Sequence, residues 1–280
     1  MTKLIYIGGY GRSGSTLLEY LLTASPVVVA TGEVARHFQR FGQVKTCTCG
    51  RLVEDCPVWE AFQNGSGKLK GWDHETLTLA MLAHLSDQYA VMVNASKTAW
   101  GSFLMPFRLR QRLGSDFLLV HLVRDPRAVC WSTIRTSQRH QDTGLLSAPV
   151  VRCLRTAIGW TVANVACEIF GWRHRENYVR VHYEDLARSP REVLRSILAR
   201  VAVEAPASLE RTESLDNRHQ LYGNSMRFKP LPPKEVKEDV AWKSEMPKGV
   251  GCLATSLCWP LGAKYEYFGS KAAKHRRPSP

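Results

Sequence analysis

The stretch KLIYIGGYGRSGST, residues 3–16, decides the fold that the rest of the chain completes. An aliphatic and aromatic run comes first, a glycine-rich turn follows, and leucines then recur at helical spacing over residues 16–24. This order predicts a strand, a loop and a helix. A glycine-rich loop in that position points successive backbone N–H groups at one spot, where the helix dipole also favours negative charge. The stretch therefore predicts an oxyanion-binding loop.

This loop matches only part of the Walker A pattern G-x-x-x-x-G-K-[ST], which binds nucleoside triphosphates. Gly9, Gly14 and Thr16 fit the pattern, but Ser15 occupies the place of the lysine that reaches the β- and γ-phosphates. A positive charge is found at Arg12 instead. The loop thus argues against a nucleoside triphosphatase and favours a ligand with a shorter phosphate chain.

Strand and helix patterns alternate along the rest of the chain. Apolar runs predict further strands over residues 26–31, 91–94, 117–123 and 178–182. Helical patterns cover residues 74–89, 102–113, 126–139, 151–172 and 190–201. This alternation predicts an α/β fold, a P-loop-like three-layer α/β/α arrangement with a mainly parallel central sheet.

The length of 280 residues allows a large core without disulfides. We expect a single domain over residues 1–270, with an insertion around 40–75, a polar lid loop over 139–149 and an extended strap over 216–270. Residues 271–280 read as a disordered basic tail. No apolar run approaches the roughly 20 residues that span a bilayer, and no signal-peptide pattern precedes the first strand, so we expect a soluble, cytoplasmic protein.

The net charge of +13, from 38 Lys and Arg against 25 Asp and Glu, is unevenly distributed. The last ten residues carry four positive charges and no acid, and residues 101–155 carry nine arginines against three acids. Arginine is suited to forked recognition of phosphate-like oxyanions. A nucleic-acid-binding module would arrange its arginines in a stripe with aromatics. Here the key arginines follow strand ends, which favours an anionic small ligand.

A second motif follows the predicted strand 117–123. Arg124 ends that strand, at the edge where open α/β sheets bind ligands. Asp125 and Pro126 read as the N-cap and first residue of a helix, and Ser132 lies about two turns along it. Arg124 is therefore a candidate phosphate clamp.

Together the two motifs resemble sulfotransferases that use 3′-phosphoadenosine-5′-phosphosulfate (PAPS). In that family an R-S-G-[ST]-[ST] loop, here residues 12–16, holds the 5′-phosphosulfate. A later R-D-P-R-A-x-x-x-S segment, here 124–132, holds the 3′-phosphate through its first Arg and its Ser. The resemblance is strongest to bacterial sulfotransferase-domain proteins and to the carbohydrate and tyrosylprotein enzymes. The donor-binding residues that it implies are Gly11, Arg12, Ser13, Gly14, Ser15, Thr16, Arg124, Ser132, Tyr183 and Arg227.

Four more segments extend the resemblance. Residues 32–36 (GEVAR) are similar to the family segment whose glutamate is the catalytic base, and residues 94–97 (NASK) resemble D-S-S-K with Asn94 in place of the acid. A later family segment, Y-E-D-L, is matched by residues 183–186. The family segments that close over the nucleotide, G-N-x-x-R and W-K, are matched by residues 223–227 (GNSMR) and by Trp242 and Lys243. The reaction so implied releases adenosine 3′,5′-bisphosphate and, by our interpretation, needs no metal.

Sulfuryl transfer resembles phosphoryl transfer, in which catalysis is mostly positioning and charge neutralisation. We expect Arg12 and Lys97 to neutralise the leaving phosphate oxygen, and we count Ser132 with them as catalytic. Glu33 is our preferred general base for a hydroxyl acceptor, with Arg36 beside it as a charge partner.

Three histidines compete with Glu33 for the role of base. His37 and His140 remain open alternatives, whereas His121 lies in the middle of a predicted buried strand and is expected to be a core residue. Glu184 and Asp185 are expected to fix the end of the strand 178–182.

Cys47, Cys49 and Cys56 form the only cysteine cluster with a metal-like spacing, C-x-C-x6-C. A structural zinc site needs four ligands, and His37 is a candidate for the fourth. Zinc, a disulfide and free thiols all remain open, and we expect free thiols in an acceptor-side insertion.

The expected acceptor is a small molecule, carbohydrate or lipid with a hydroxyl group, and the oligomeric state is left open. A P-loop kinase using ATP-Mg is the main alternative, and a nucleic-acid-binding module is favoured only by the charge.

Overall fold

The computed structural model describes residues 2–34, 44–63, 72–99, 102–139, 144, 148–206, 217–228 and 236–268. Three positions named above, Arg36, His37 and His140, lie outside the described residues, as does the tail 271–280.

Five strands form one parallel sheet. They are β1 (Lys3–Gly8), β2 (Val28–Ala30), β3 (Val91–Asn94), β4 (Phe117–Val123) and β5 (Tyr178–His182), in the order β2-β3-β1-β4-β5. Every neighbouring pair is parallel, so all five strands end at the same edge. The predicted α/β fold is confirmed, and only the strand predicted over 26–31 is shorter than expected.

Helices cover both faces of the sheet. Within the described residues the helices are α1 (Ser15–Leu22), α2 (Glu60–Gln63), α3 (His74–His84), α4 (Met105–Leu113), α5 (Pro126–Arg139), α6 (Pro149–Arg173), α7 (Tyr183–Arg188), α8 (Pro190–Arg200), α9 (Trp242–Glu245) and α10 (Lys248–Lys264). Short 3-10 turns occupy 53–55, 114–116, 175–177 and 225–228.

Alternate side chains of the central strand β1 pack on opposite faces of the sheet. Leu4 and Tyr6 belong to one buried cluster, with side chains from α3, α4 and α6. Ile5 and Ile7 belong to another, with side chains from α1 and α8. Because both faces are covered, β1 and β4 are nearly continuous apolar runs, as parallel sheets require. The three-layer prediction is therefore confirmed.

The helix α10 corrects our expectation of an extended strap over 216–270. Its buried residues Val250, Ala254 and Cys258 recur every four positions and pack in a third cluster with residues of α5 and α6. Gly249, Gly251 and Pro260 weaken the helical signal in the sequence, but this packing overrides their low propensity. Among the described residues, no helix combines the length and apolarity needed to cross a membrane.

Candidate active site

The loop between β1 and α1 has a backbone that suits glycine at critical positions. Gly9 and Gly14 adopt positive φ, +102° and +97°, and Arg12 adopts φ +68°. A Cβ at Gly14 would lie 2.6 Å from the Tyr183 ring. The Ser13 Oγ is buried and has no hydrogen-bond partner in the described part of the chain. A buried hydroxyl without a partner is costly, so this loop is shaped to receive a polar ligand.

Arg124 lies at the carboxyl end of β4 and is buried beside this loop. Its guanidinium donates to the Arg12 carbonyl at 3.0 Å and to the Asp239 carboxylate and carbonyl at 3.1 Å. It also lies 4.2 Å from the centre of the Tyr183 ring. The Arg124 Nε is buried without a partner among the described residues. Arg124 thus links the loop to two later segments and keeps one donor available.

Asp125 caps α5 as the sequence predicts. Its Oδ1 accepts from the Arg127 backbone N–H at 2.9 Å, and its Oδ2 pairs with the Arg127 guanidinium at 2.6 Å. Ser132 follows on the same helix and is half-buried. The role of Asp125 is therefore to begin the helix and orient Arg127.

Glu33 and Lys97 meet at the ends of β2 and β3. The Lys97 Nζ lies 2.5 Å from the Glu33 Oε1, and both side chains are nearly buried, 11% and 13% exposed. Lys97 has a positive φ of 66°, and its carbonyl accepts from the Tyr6 hydroxyl at 2.5 Å. The backbone N–H of Lys97 donates to Ile7 of β1 at 3.2 Å. These bonds fix the ion pair beside the β1 loop.

Asn94, which replaces the acid of the resembled segment, has a structural role. Its Oδ1 accepts from the Ser96 backbone N–H at 2.9 Å and its Nδ2 donates to the Thr78 hydroxyl at 3.1 Å. A neutral amide supplies both an acceptor and a donor here, which a carboxylate does not. Asn94 therefore shapes the turn that carries Lys97.

The segment 217–228 forms another wall of the same region. Arg227 donates to the Gly223 carbonyl at 2.8 Å, and a Cβ at Gly223 would lie 3.8 Å from the Thr16 hydroxyl. Burial lowers the pKa of Arg227, and the charge of Glu33 opposes that shift. The Arg227 Nε is buried without a partner among the described atoms. The predicted residues Arg12, Arg124, Lys97 and Arg227 thus lie on elements that converge on one edge of the sheet.

Comparison with known proteins decides the family. The profile of the Sulfotransferase family matches residues 5–207. The chain belongs to the sulfotransferase family. It is therefore a transferase, as the two motifs predict, and no curated protein sequence matches it.

Several solved structures have a fold similar to that of this sulfotransferase. The chain is similar to the sulfotransferase domain of the Synechococcus PCC 7002 olefin synthase, at 19% identity and TM-score 0.57 over 94% of each chain. It is similar to the sulfotransferase domain from the curacin biosynthetic pathway, at 17% identity and TM-score 0.60 over 93% of this chain and 97% of that one. A sulfotransferase from Alicyclobacillus acidocaldarius shares 13% identity, with TM-score 0.50 over 99% and 97%. At such identities the likeness shows the fold alone.

In this sulfotransferase Tyr183 and Glu184 directly follow β5 and support the residues of the site. The Tyr183 hydroxyl accepts from the Asp239 backbone N–H at 3.1 Å, and the ring packs between Gly14 and Arg124. Burial raises the pKa of Glu184 to about 6, and its carboxylate accepts from the Tyr267 hydroxyl at 3.0 Å. These contacts agree with the supporting role expected of Glu184.

His121 is a core residue, as the sequence predicts. Its side chain is fully buried, its Nδ1 lies 2.7 Å from the Tyr178 hydroxyl and its Nε2 lies 2.7 Å from the Asn164 Oδ1. Burial lowers its pKa to about 4. Because both ring nitrogens have partners inside the core, His121 is excluded as the base.

Glu19, which no sequence motif singles out, is a buried carboxyl behind the Glu33 segment. Its Oε1 accepts from the Gly32 backbone N–H at 2.9 Å and its Oε2 accepts from the Gln220 amide at 2.7 Å. Burial raises the pKa of Glu19 to about 8, although the charge of Lys97 opposes the shift. The sequence signal that could have identified Glu19 is an acidic residue within the otherwise apolar helical stretch TLLEYLL. Glu19 joins α1 to two walls of the site.

Glu19 makes the stability of the protein depend on pH. Its folded pKa of about 8 lies above the ordinary value of 4.5, so the folded state binds the extra proton and this stabilisation is lost as pH rises through 8. We expect the free energy of unfolding of the wild type, relative to that of Glu19→Gln, to fall by several kcal/mol between pH 5 and pH 8. The slope is about 1.4 kcal/mol per pH unit. Urea unfolding of both proteins at the two pH values measures this.

Gln220 gives the Glu19→Gln variant a way to keep its contacts. The Gln220 Oε1 is buried without a partner in the described chain, so after an amide flip it accepts from the amide introduced at position 19. An equal pH dependence in wild type and variant would contradict the assigned protonation of Glu19.

None of the eight cysteines is in a disulfide, so no disulfide joins Cys47, Cys49 or Cys56. The three thiols instead lie close to His219, a residue that belongs to no motif of the sequence. His37, the candidate fourth ligand suggested by the sequence, lies outside the described residues.

Proposed function

We propose that the protein transfers the sulfuryl group from PAPS to a hydroxyl of a small-molecule, carbohydrate or lipid acceptor. The observation that carries the proposal is the juxtaposition of the glycine-rich loop, the buried Arg124 and the Glu33–Lys97 ion pair at the carboxyl edge of one parallel sheet. This is the edge at which open α/β folds bind ligands. Residues 1–270 are proposed to act as one domain.

The donor fits the groups that this edge presents. PAPS carries a 5′-phosphosulfate and a 3′-phosphate, and it supplies the sulfuryl group. Its two anionic ends need separate sets of donors. Backbone N–H groups and hydroxyls of residues 11–16 form one set, and the available Nε atoms of Arg124 and Arg227 belong to the other. Ser132 on α5 is proposed to assist Arg124.

Glu33 is proposed to accept the proton of the acceptor hydroxyl. As that proton moves to a Glu33 carboxylate oxygen, the acceptor oxygen forms a bond to sulfur and the bond from sulfur to the phosphate oxygen breaks. Lys97 holds the carboxylate in place at 2.5 Å before the transfer. The pair is nearly dry, so its charges act with less screening than they would in water.

Lys97 and Arg12 are proposed to neutralise the charge that develops on the leaving phosphate oxygen. Preorganised positive groups and loop N–H donors act on this charge without having to reorient. The fixed positive-φ backbone at both residues supports such preorganisation.

A labelled-donor assay tests the activity. The protein is incubated with pooled metabolites and with PAPS carrying radioactive sulfur, or with ATP-Mg carrying a radioactive γ-phosphate. We expect label from PAPS, and none from ATP, in an acceptor product, with release of adenosine 3′,5′-bisphosphate. The isotopes are needed because sulfuryl and phosphoryl groups have nearly equal mass. Transfer from ATP alone would show a kinase and overturn the proposal.

A further inference from the structure

Three thiols from the segment 44–63 and one imidazole from the segment 217–228 converge in the structure. The Sγ atoms of Cys47, Cys49 and Cys56 and a ring nitrogen of His219 all lie within 4.8 Å of one another. We propose that these four residues bind a zinc ion that ties the insertion to the wall of the candidate active site. This proposal replaces our expectation of free thiols without a metal.

The distances fit a tetrahedral zinc ion. Zn–S bonds of about 2.3 Å and Zn–N bonds of about 2.1 Å place two sulfurs about 3.8 Å apart and a sulfur and a nitrogen about 3.6 Å apart. The Cys49 and Cys56 sulfurs are 3.9 Å apart, and the His219 Nδ1 lies 3.8 Å from the Cys47 sulfur and 3.2 Å from that of Cys56. These three distances lie within about 0.4 Å of the tetrahedral values, and all four ligand atoms lie within 4.8 Å of one another.

The backbone around the thiols is built to hold them together. Thr46 and Leu52 form an antiparallel bridge, and the Cys47 N–H donates to the Arg51 carbonyl at 2.9 Å. Gly50, at φ +86°, turns the chain between them. This tight turn directs Cys47 and Cys49 to one point, and Cys56 joins them from the following 3-10 turn.

His219 is held in place by bonds to both sides. The backbone N–H of His219 donates to the Ala30 carbonyl at 2.8 Å, and the His219 carbonyl accepts from the Trp59 Nε1 at 2.6 Å. The Thr48 hydroxyl, from between two of the cysteines, donates to the Arg218 carbonyl at 2.7 Å. The backbone that carries the imidazole is thus fixed by its neighbours, with the ring Nδ1 facing the Cys47 and Cys56 sulfurs.

The chemistry of the ligand set selects the metal and its role. Three thiolates and one imidazole in a tetrahedral arrangement are typical of zinc. Cys47 and Cys56 are fully buried and His219 is 2% exposed. Since four protein ligands complete the tetrahedral coordination of zinc and leave no position for a water, the site is structural.

The site stands next to the residues proposed to act in transfer. Three residues after His219, the Tyr222 carbonyl accepts from the Glu33 N–H at 3.4 Å, and Arg227 follows in the same segment. The ion would therefore fix the chain that positions Glu33 and Arg227. Metal content is measured without any turnover, so failure of the zinc proposal and failure of the proposed activity are distinguishable.

Metal analysis of protein purified without a metal-binding tag or chelator tests the proposal. We expect about one zinc per chain in the wild type. Cys49→Ser, at the half-buried ligand, should weaken zinc binding by at least about 10-fold, since even the loss of an outer partner of a ligand has that effect. The matched control is Cys252→Ser, at an exposed cysteine of α10, which should keep the wild-type zinc content and affinity.

Cobalt substitution gives a second measurement that does not depend on a variant folding. Wild-type protein stripped by a chelator and refilled with Co²⁺ should show thiolate-to-cobalt charge transfer and the strong visible bands of a tetrahedral ion. Absence of both zinc and cobalt uptake would overturn the proposal. So would equal zinc content and affinity in Cys49→Ser and the wild type, or an iron–sulfur chromophore in the purified protein.

Discussion

Glu33→Gln is expected to lower kcat by about 100-fold or more, because the amide cannot take the proton of the acceptor hydroxyl. Gln keeps the shape of the side chain and still accepts a hydrogen bond from the Lys97 Nζ, which lies 2.5 Å from the Glu33 Oε1. The affinity for adenosine 3′,5′-bisphosphate should therefore change little. Steady-state kinetics with labelled PAPS and calorimetry with the product nucleotide separate the two effects.

Glu192→Gln is the matched control, since Glu192 is an exposed carboxylate on α8. It should leave both kcat and nucleotide affinity at wild-type values. A Glu33→Gln variant with normal kcat and weakened nucleotide binding would contradict the assignment of Glu33 as base. The base would then be one of the histidines outside the described residues, His37 or His140.

Arg124→Ala is expected to weaken binding of adenosine 3′,5′-bisphosphate by about 10-fold or more. Loss of a charge-assisted hydrogen bond is worth about 1.5–3 kcal/mol, and 1.4 kcal/mol is tenfold in affinity. The buried guanidinium also holds the Arg12 carbonyl at 3.0 Å, so some loosening of the loop is expected as well. Calorimetry with the bisphosphate measures the combined effect.

Adenosine 5′-monophosphate, which lacks the 3′-phosphate, separates these two contributions. The wild type should prefer the bisphosphate, and Arg124→Ala should lose most of that preference. Arg195→Ala, at an exposed arginine of α8, is the control and should keep it. Equal weakening of both nucleotides by Arg124→Ala would assign Arg124 to loop support rather than to the 3′-phosphate.

The parts of the fold predicted from the sequence are those encoded locally. β1, its glycine-rich loop and α1 follow from a continuous stretch, residues 3–22, in which the hydrophobic period changes once. The Asp125 cap is equally local, since it depends on the two residues that follow it. His121 was predicted to be a core residue because its neighbours in the strand are all apolar.

The missed features depend on contacts between distant residues. His219 is 172 positions from Cys47 and carries no pattern of its own. Asp239 lies 115 positions from the Arg124 that it contacts, in a segment without helical or strand periodicity. The helix α10 was hidden by its glycines and Pro260, whose unfavourable propensity is overcome only by packing on α5 and α6. Tertiary structure alone reveals such partners.

The ion pair at the site adds a detail that the motifs did not contain. The sequence assigned Lys97 to the leaving oxygen and placed Arg36 beside Glu33. In the structure Lys97 pairs with Glu33, and Arg36 lies outside the described residues. The two proposed roles of Lys97 are compatible, because one ammonium group has three donors.

Thermal unfolding with competing ligands tests most directly whether this is a PAPS-dependent enzyme. Adenosine 3′,5′-bisphosphate at 100 times its Kd should stabilise the fold by about 2.7 kcal/mol, which raises the Tm of a chain of this size by about 5 °C. ATP-Mg and an oligonucleotide should leave the Tm unchanged. A Tm raised by ATP-Mg alone, with no response to the bisphosphate, would contradict the account.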